Sequence, residues 1–211
     1  MRCGPAPSPR AVPAIRNDLT PQSVGPLLGR RNAGEGLIYE AGPPELLATH
    51  TASGRLEFTT DIREAAAFAE LHFIGGGTPI DADGRSCDTA QVFGAIRQLA
   101  PHLDRPCTIV DKSTVTVGTT TQVTTLAQHL AAAGQRVEVV WNPELLRESH
   151  AVEDTLRPDR LVAGVTTAEG EKAIRVVYAG IIDADVPIFV TDPATAELAK
   201  GADHSARANT S

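Results

Sequence analysis

Three short segments of this sequence gather residues that could meet a ligand, and each directly follows an apolar run. Gly75-Gly76-Gly77-Thr78-Pro79 follows Leu71–Ile74. Its side-chain-free backbone permits close approach of a bound molecule, and Thr78 adds a hydroxyl. A tight turn at a strand end explains the same glycines. Asp111-Lys112-Ser113-Thr114-Val115-Thr116-Val117-Gly118-Thr119-Thr120 is rich in hydroxyls. It leads into a predicted helix whose free N–H groups could hold a phosphate. The GxxxxGK[ST] order of a P-loop is absent, and simple N-capping accounts for one or two of these hydroxyls but not for the set. Asn142-Pro143-Glu144-Leu145-Leu146-Arg147-Glu148-Ser149 places two carboxylates four residues apart, on one face of a helical turn. Near a cleft such a pair can divide into a base and a hydrogen-bonding partner, whereas on a surface it is a solvated face with an internal Glu–Arg pair.

The elements that must position these segments are legible from periodicity. Short apolar strands at Leu71–Ile74, 107–110, Val137–Trp141, 160–165 and 188–190 alternate with amphipathic helices at Ala90–Leu99, 121–132 and 168–178. Strands apolar on both faces, separated by crossovers, predict an α/β fold: an incomplete Rossmann-like, doubly wound, mostly parallel sheet. Ligands of such sheets bind beyond the carboxyl ends of the strands, where the three segments fall. Upstream, the pattern predicts a short helix over 38–47, a strand at Arg55-Leu56-Glu57-Phe58, and an Ala-rich helix over Ile62–Phe68 capped by Thr60 or Asp61. Residues 1–30 are rich in Pro, Arg and small residues and are expected to be poorly ordered or divergent; 31–192 would form a partial NAD-binding domain, and 193–211 the start of an interdomain helix with a divergent tail.

Composition narrows the function classes. A chain of 211 residues with 42% hydrophobic and 21% charged residues is an ordinary globular one. Its net charge of -7, with scattered Lys and Arg, gives no footprint for nucleic acid or an anionic membrane. No apolar run approaches a membrane span or a secretory signal, so a cytoplasmic protein is expected. Cys3, Cys87 and Cys107 form no CxxC pair, and the six histidines show no HExxH spacing, so neither a disulfide framework nor a metal site is expected.

Taken in order, the segments resemble the UDP-glucose/GDP-mannose dehydrogenase family, whose pattern runs VGTP, DG, KSTVPVGT, NPEFLREG, PDR and TAELxK. This chain reads Gly76-Gly77-Thr78-Pro79, Asp83-Gly84, Lys112 through Thr119, Asn142 through Ser149, Pro158-Asp159-Arg160 and Thr195-Ala196-Glu197-Leu198-Ala199-Lys200. Ile38-Tyr39-Glu40 and Arg55 through Thr60 also match family segments.

The resemblance implies an NAD-dependent oxidation of the 6-hydroxymethyl of a nucleotide sugar to a carboxylate, through a cysteine-bound thioester, with UDP-glucose as the default substrate. It implies that Gly77, Thr78, Pro79, Ser113, Thr114, Val115 and Glu148 approach NAD. Thr114 would help hold the hydrolytic water, Glu144 would be the base for thioester hydrolysis, and Lys200 would stabilise oxyanion character at the sugar C6 oxygen. Glu144, Leu145, Leu146, Arg147, Glu148 and Lys200 would contact the nucleotide sugar.

Departures from the family pattern shape the expectation. The GxGYVG turn and the GGxCFPKD segment with the nucleophilic cysteine have no counterpart, and His204 stands where the family has asparagine. Asp18 is a loose candidate for the acidic ribose-binding position. The expectation is a family member truncated at both ends, inactive alone and poorly soluble through an uncovered sheet edge. The alternative is a non-catalytic interaction module that associates with itself or pairs with an intact homologue through sheet edges and the helix at 194–200.

Overall fold

A computed structural model describes residues 43–79, 87–143 and 150–208. The expectations for residues 1–42, for Asp83-Gly84 and for the 144–149 carboxylate segment lie outside these residues.

The described chain opens with helix α1 (Pro43–Ala52). It runs past the expected end at residue 47 and stops at Gly54, whose φ of +67° is a left-handed conformation that favours glycine. The expected strand at 55–58 does not form. The Arg55 and Leu56 N–H groups both donate to the His50 carbonyl, at 2.9 and 3.0 Å, closing the end of α1 instead of joining a ladder. Helix α2 (Ile62–Phe68) follows, capped by Asp61, whose carboxylate accepts from the Arg63 N–H at 2.9 Å.

Strand β1 (Leu71–Ile74), helix α3 (Ala90–Leu99), strand β2 (Cys107–Asp111), helix α4 (Thr119–Leu130) and strand β3 (Val137–Trp141) form the central β-α-β-α-β run. Helix α5 (Ala151–Leu156) and the four-residue helix α7 (Ala179–Ile182) were not foreseen from the sequence. Between them stand strand β4 (Leu161–Gly164) and helix α6 (Ala168–Val177); strand β5 (Ile188–Thr191) and helix α8 (Pro193–Ala208) complete the described chain.

The sheet order is β1-β2-β3-β4-β5. Strands β1, β2 and β3 are parallel, with Ile74 opposite Asp111 and Asp111 opposite Trp141. Strand β4 pairs antiparallel to β3 at a single position, Trp141 with Gly164, and β5 runs parallel to β4. Because Trp141 and Gly164 are both the last residues of their strands, most of β4 lies beyond the carboxyl edge of β3. Leu161 stands roughly 10 Å past that edge. The sheet thus builds a wall beside the place where a doubly wound fold presents its loops.

Alternating side chains of the buried strands feed separate layers. Ile109, Val137 and Val139 pack with Val92, Ile96 and Val123 of α3 and α4 on one face. Val110, Val140 and Ala163 pack with Ile174 of α6 on the other. A third cluster, Val115, Trp141, Val162 and Ala196, fixes α8 over the strand ends.

Candidate functional site

Loops at the carboxyl ends of β1 and β2 are joined by a chain of hydrogen bonds. The Lys112 N–H donates to the Ile74 carbonyl at 2.8 Å, continuing the strand pairing. The Gly76 N–H then donates to Ser113 Oγ at 3.1 Å, and the Ser113 N–H donates to Asp111 Oδ1 at 2.8 Å. Asp111 is wholly buried, and burial pushes its carboxyl up to about 6, against the lowering effect of the Ser113 backbone and side-chain hydrogen bonds. Its Oδ2 has no hydrogen-bond partner. On the β1 side, the Gly77 N–H donates to Gln91 Oε1 of α3 at 2.9 Å, and the Asp88 N–H donates to the Pro79 carbonyl. Gly75 and Gly77 are exposed and Thr78 is half-buried, so backbone and one hydroxyl face outward from this strand end.

A second network ties β2, β3, β4 and α6. Asn142, buried just after β3, donates its backbone N–H to the Asp111 carbonyl and Nδ2 to the Val162 carbonyl at 2.8 Å. Its Oδ1 accepts from Tyr178 OH at 2.5 Å and from Lys112 Nζ at 3.3 Å. Burial raises the Tyr178 hydroxyl to about 12, so it is a neutral donor at ordinary pH. Every bonding direction of the Asn142 amide oxygen is thereby used within the fold.

The third component is Glu197 on α8. It is buried, and its carboxylate meets the first turn of α4. Oε2 accepts from the Gly118 N–H at 2.6 Å, while Oε1 accepts from the Thr120 N–H at 2.7 Å and from Thr120 Oγ1 at 2.6 Å. Gly118 reaches this geometry with φ +94°, a conformation side chains resist. In the sequence these N–H groups are candidates to hold a phosphate, but the chain's own carboxylate holds them. Helix α4 also begins at Thr119, two residues before the expected start, because Glu197 supplies a cap from 77 residues away in sequence.

The expected cofactor residues Gly77, Thr78, Pro79, Ser113, Thr114 and Val115 therefore share the carboxyl ends of two adjacent strands. The Val115 side chain packs with Trp141, Val162 and Ala196, so it faces the core and offers a ligand its backbone. Lys200 is half-buried on α8, one turn beyond Glu197. Glu144, Leu145, Leu146, Arg147 and Glu148 lie outside the described residues. Asn142, Tyr178, Asp111 and Glu197 were not selected from the sequence as site residues; Asn142 and Glu197 sit inside the quoted motifs, and only three-dimensional contacts show why.

Cys107 is buried and its thiol is pushed up to about 11 by burial, which makes it a poor nucleophile. No group of three or more His, Cys, Asp or Glu side chains that could hold a metal occurs among the described residues. None of the described helices is long and apolar enough to cross a membrane.

Comparison with known proteins places the chain in a family. Residues 28–182 match the UDP-glucose/GDP-mannose dehydrogenase family, NAD binding domain. The chain is 39% identical over 165 residues to UDP-glucose 6-dehydrogenase of Rhizobium meliloti (strain 1021), covering 77% of this chain and 38% of that protein. It is 34% identical over 168 residues to UDP-glucose 6-dehydrogenase YwqF of Bacillus subtilis (strain 168), covering 80% and 37%. Among solved structures, a UDP-glucose dehydrogenase from the archaeon Pyrobaculum islandicum superposes with a TM-score of 0.76 at 37% identity, over 84% of this chain and 41% of that one. A ternary complex of GDP-mannose dehydrogenase from Pseudomonas aeruginosa gives a TM-score of 0.82 at 28% identity, over 88% and 43%. The chain spans about two fifths of the length of these relatives. The Rossmann-like fold expected from the strand pattern is borne out, and NAD is the cofactor of the matched domain. The chain belongs to the UDP-glucose/GDP-mannose dehydrogenase family, and residues 28–182 match its NAD-binding domain.

Proposed function

We propose that these 211 residues form the cofactor-binding part of an NAD-dependent nucleotide-sugar 6-dehydrogenase, with UDP-glucose as the default sugar nucleotide, and that alone they bind without turnover. The observation that carries this reading is the bonded pair of strand-end loops, Gly76 to Ser113 to Asp111, in a domain of this family. The residues fit a dinucleotide at that edge: Gly75 has open space where a side chain would stand, and Thr78 and Ser113 carry hydroxyls. The α4 N-terminus does not fit a phosphate, because Glu197 fills it.

NAD, when bound, supplies the hydride acceptor. The chain's part is to orient and polarise. Gly77, Thr78 and Pro79 line one side of the cofactor, and Ser113, Thr114 and the backbone of Val115 the other. Lys200 supplies positive charge to the sugar C6 oxygen, and Thr114 holds the hydrolytic water. Glu144 serves as base, with Leu145, Leu146, Arg147 and Glu148 against the nucleotide sugar and Glu148 also near NAD. Thioester chemistry needs a reactive thiolate, and the buried, raised thiol of Cys107 does not supply one.

Calorimetric titration of the folded chain with NAD and, separately, with UDP-glucose tests the reading. Micromolar binding of either, with no NADH formed when both are present, supports it. Turnover would overturn the inactive-alone part, and no binding of either ligand would overturn the whole.

One observation favours a second reading, an interaction module that pairs with its own copy or with an intact homologue. Phe189 on the edge strand β5 and Leu198 on α8 are 56% and 62% exposed. Among the described residues β5 is an edge strand, and an edge with exposed apolar side chains beside it invites association. Sedimentation that shows a monomer at all concentrations, alone and mixed with an intact relative, would count against it.

A further inference from the structure

We propose that Glu197 is a positioning residue for the nucleotide-sugar side of the site: a clasp that locks α8 to the hydroxyl-rich loop and so fixes Lys200 relative to Thr114. The inference rests on the preceding reading of Lys200 and Thr114 as residues that meet the sugar nucleotide.

Among the described residues, three contacts anchor helix α8, and one of them hydrogen-bonds to the loop. Asp192 caps its start, with the Thr195 N–H donating to Oδ1 at 3.0 Å and Thr195 Oγ1 to Oδ2 at 2.6 Å. Ala196 then lies against Gly164 so closely that a Cβ on the glycine would stand 2.9 Å from the alanine Cβ. Those two contacts fix the helix to β4 and β5, and Ala196 also packs against Val115 of the loop without bonding to it. The third contact, Glu197, crosses to the segment that carries Thr114.

Chemistry explains why a carboxylate suits this place. Its two oxygens take three donors, two of them N–H groups of the first turn of α4, where the helix dipole favours negative charge. An amide could accept at only one atom and would present its own N–H groups to the second donor. Glu197 and Lys200 are three residues apart in one helix, hence neighbours on its surface. A shift of Glu197 therefore carries Lys200 with it, while the Asp111–Ser113–Gly76 chain that serves the cofactor side does not pass through Glu197.

This separation sets the test. Glu197→Ala and the milder Glu197→Gln are made in the full chain, so that one folded variant suffices, and the dissociation constants of NAD and UDP-glucose are measured by calorimetry. The expected result is a loss of UDP-glucose affinity of about tenfold or more with NAD affinity changed less than about threefold. Added formate, a small carboxylate able to enter the vacated place, restores UDP-glucose binding to Glu197→Ala. Equal loss of both affinities without formate rescue, or unchanged UDP-glucose affinity, overturns the proposal. In parallel, the acetylation rate of Lys200 is followed by mass spectrometry without ligand. A change of several-fold in Glu197→Ala, reversed by formate, supports the clasp, and an unchanged rate overturns it. If the wild-type chain binds neither ligand, the dehydrogenase reading fails; in that case, or where it binds NAD alone, the acetylation rates decide the clasp.

Discussion

Substituting Asp111 by Asn should change how stability depends on pH. The wild-type carboxyl is fully buried at the end of β2, with Oδ2 unpartnered, and it titrates near 6 rather than at the ordinary 3.8. Well below pH 3.8 the group is protonated in both folded and unfolded chains and makes no pH-dependent contribution. As pH rises towards 6, the unfolded chain ionises first, so the folded chain binds more protons and loses stability relative to it. Above that range the buried charge costs about 3 kcal/mol, and between about pH 4 and 7.5 the change is about 2–3 kcal/mol. Asp111→Asn keeps an acceptor for the Ser113 N–H and removes the titration; its unpaired amide adds a cost that does not vary with pH. Urea unfolding of both chains across this range is the assay. The variant should gain about 2–3 kcal/mol on the wild type as pH rises. Parallel curves would show that Asp111 is not held in a desolvated site.

One further substitution and one reaction follow from packing. Gly164→Ala places a Cβ 2.7 Å from the Pro193 Cα, a contact between backbones that α8 can relieve only by moving. Overpacking of this kind costs about 1–3 kcal/mol, which lowers the melting temperature by roughly 3–10 °C in a chain of this size. An unchanged melting curve would show that α8 is not seated on β4. Cys107, buried with its thiol raised to about 11, should react with a disulfide reagent only after unfolding. Rapid labelling of the folded chain would contradict its burial.

Much of the fold could be read from periodicity because the buried strands are short, continuous apolar runs bounded by Gly, Pro or charged residues. Leu71–Ile74, Val137–Trp141 and Ala90–Leu99 match in both bounds. Arg55-Leu56-Glu57-Phe58 failed because a strand needs an edge to join, and its first N–H groups close α1. The antiparallel entry of β4 was invisible, since Leu161–Gly164 has the same apolar character whichever way it runs. For the site, the hydroxyls and glycines announced themselves by type. Glu197 did not, because a carboxylate on a helix reads as a solvated face until its partners, 77 and 79 residues earlier, are brought to it. Asn142 and Tyr178 were hidden in the same way, 36 residues apart in sequence and bonded across α6 and β3.

The central claim is that the bonded loops after β1 and β2 receive NAD. Titration of the isotope-labelled chain with NAD, followed by amide NMR, tests it most directly. The expected result is a saturable set of shifts centred on Gly76, Gly77, Thr78, Ser113 and Thr114, with the Gly118 and Thr120 amides, held by Glu197, moving least. A folded chain whose amides do not move, or move chiefly at Gly118 and Thr120, would contradict it.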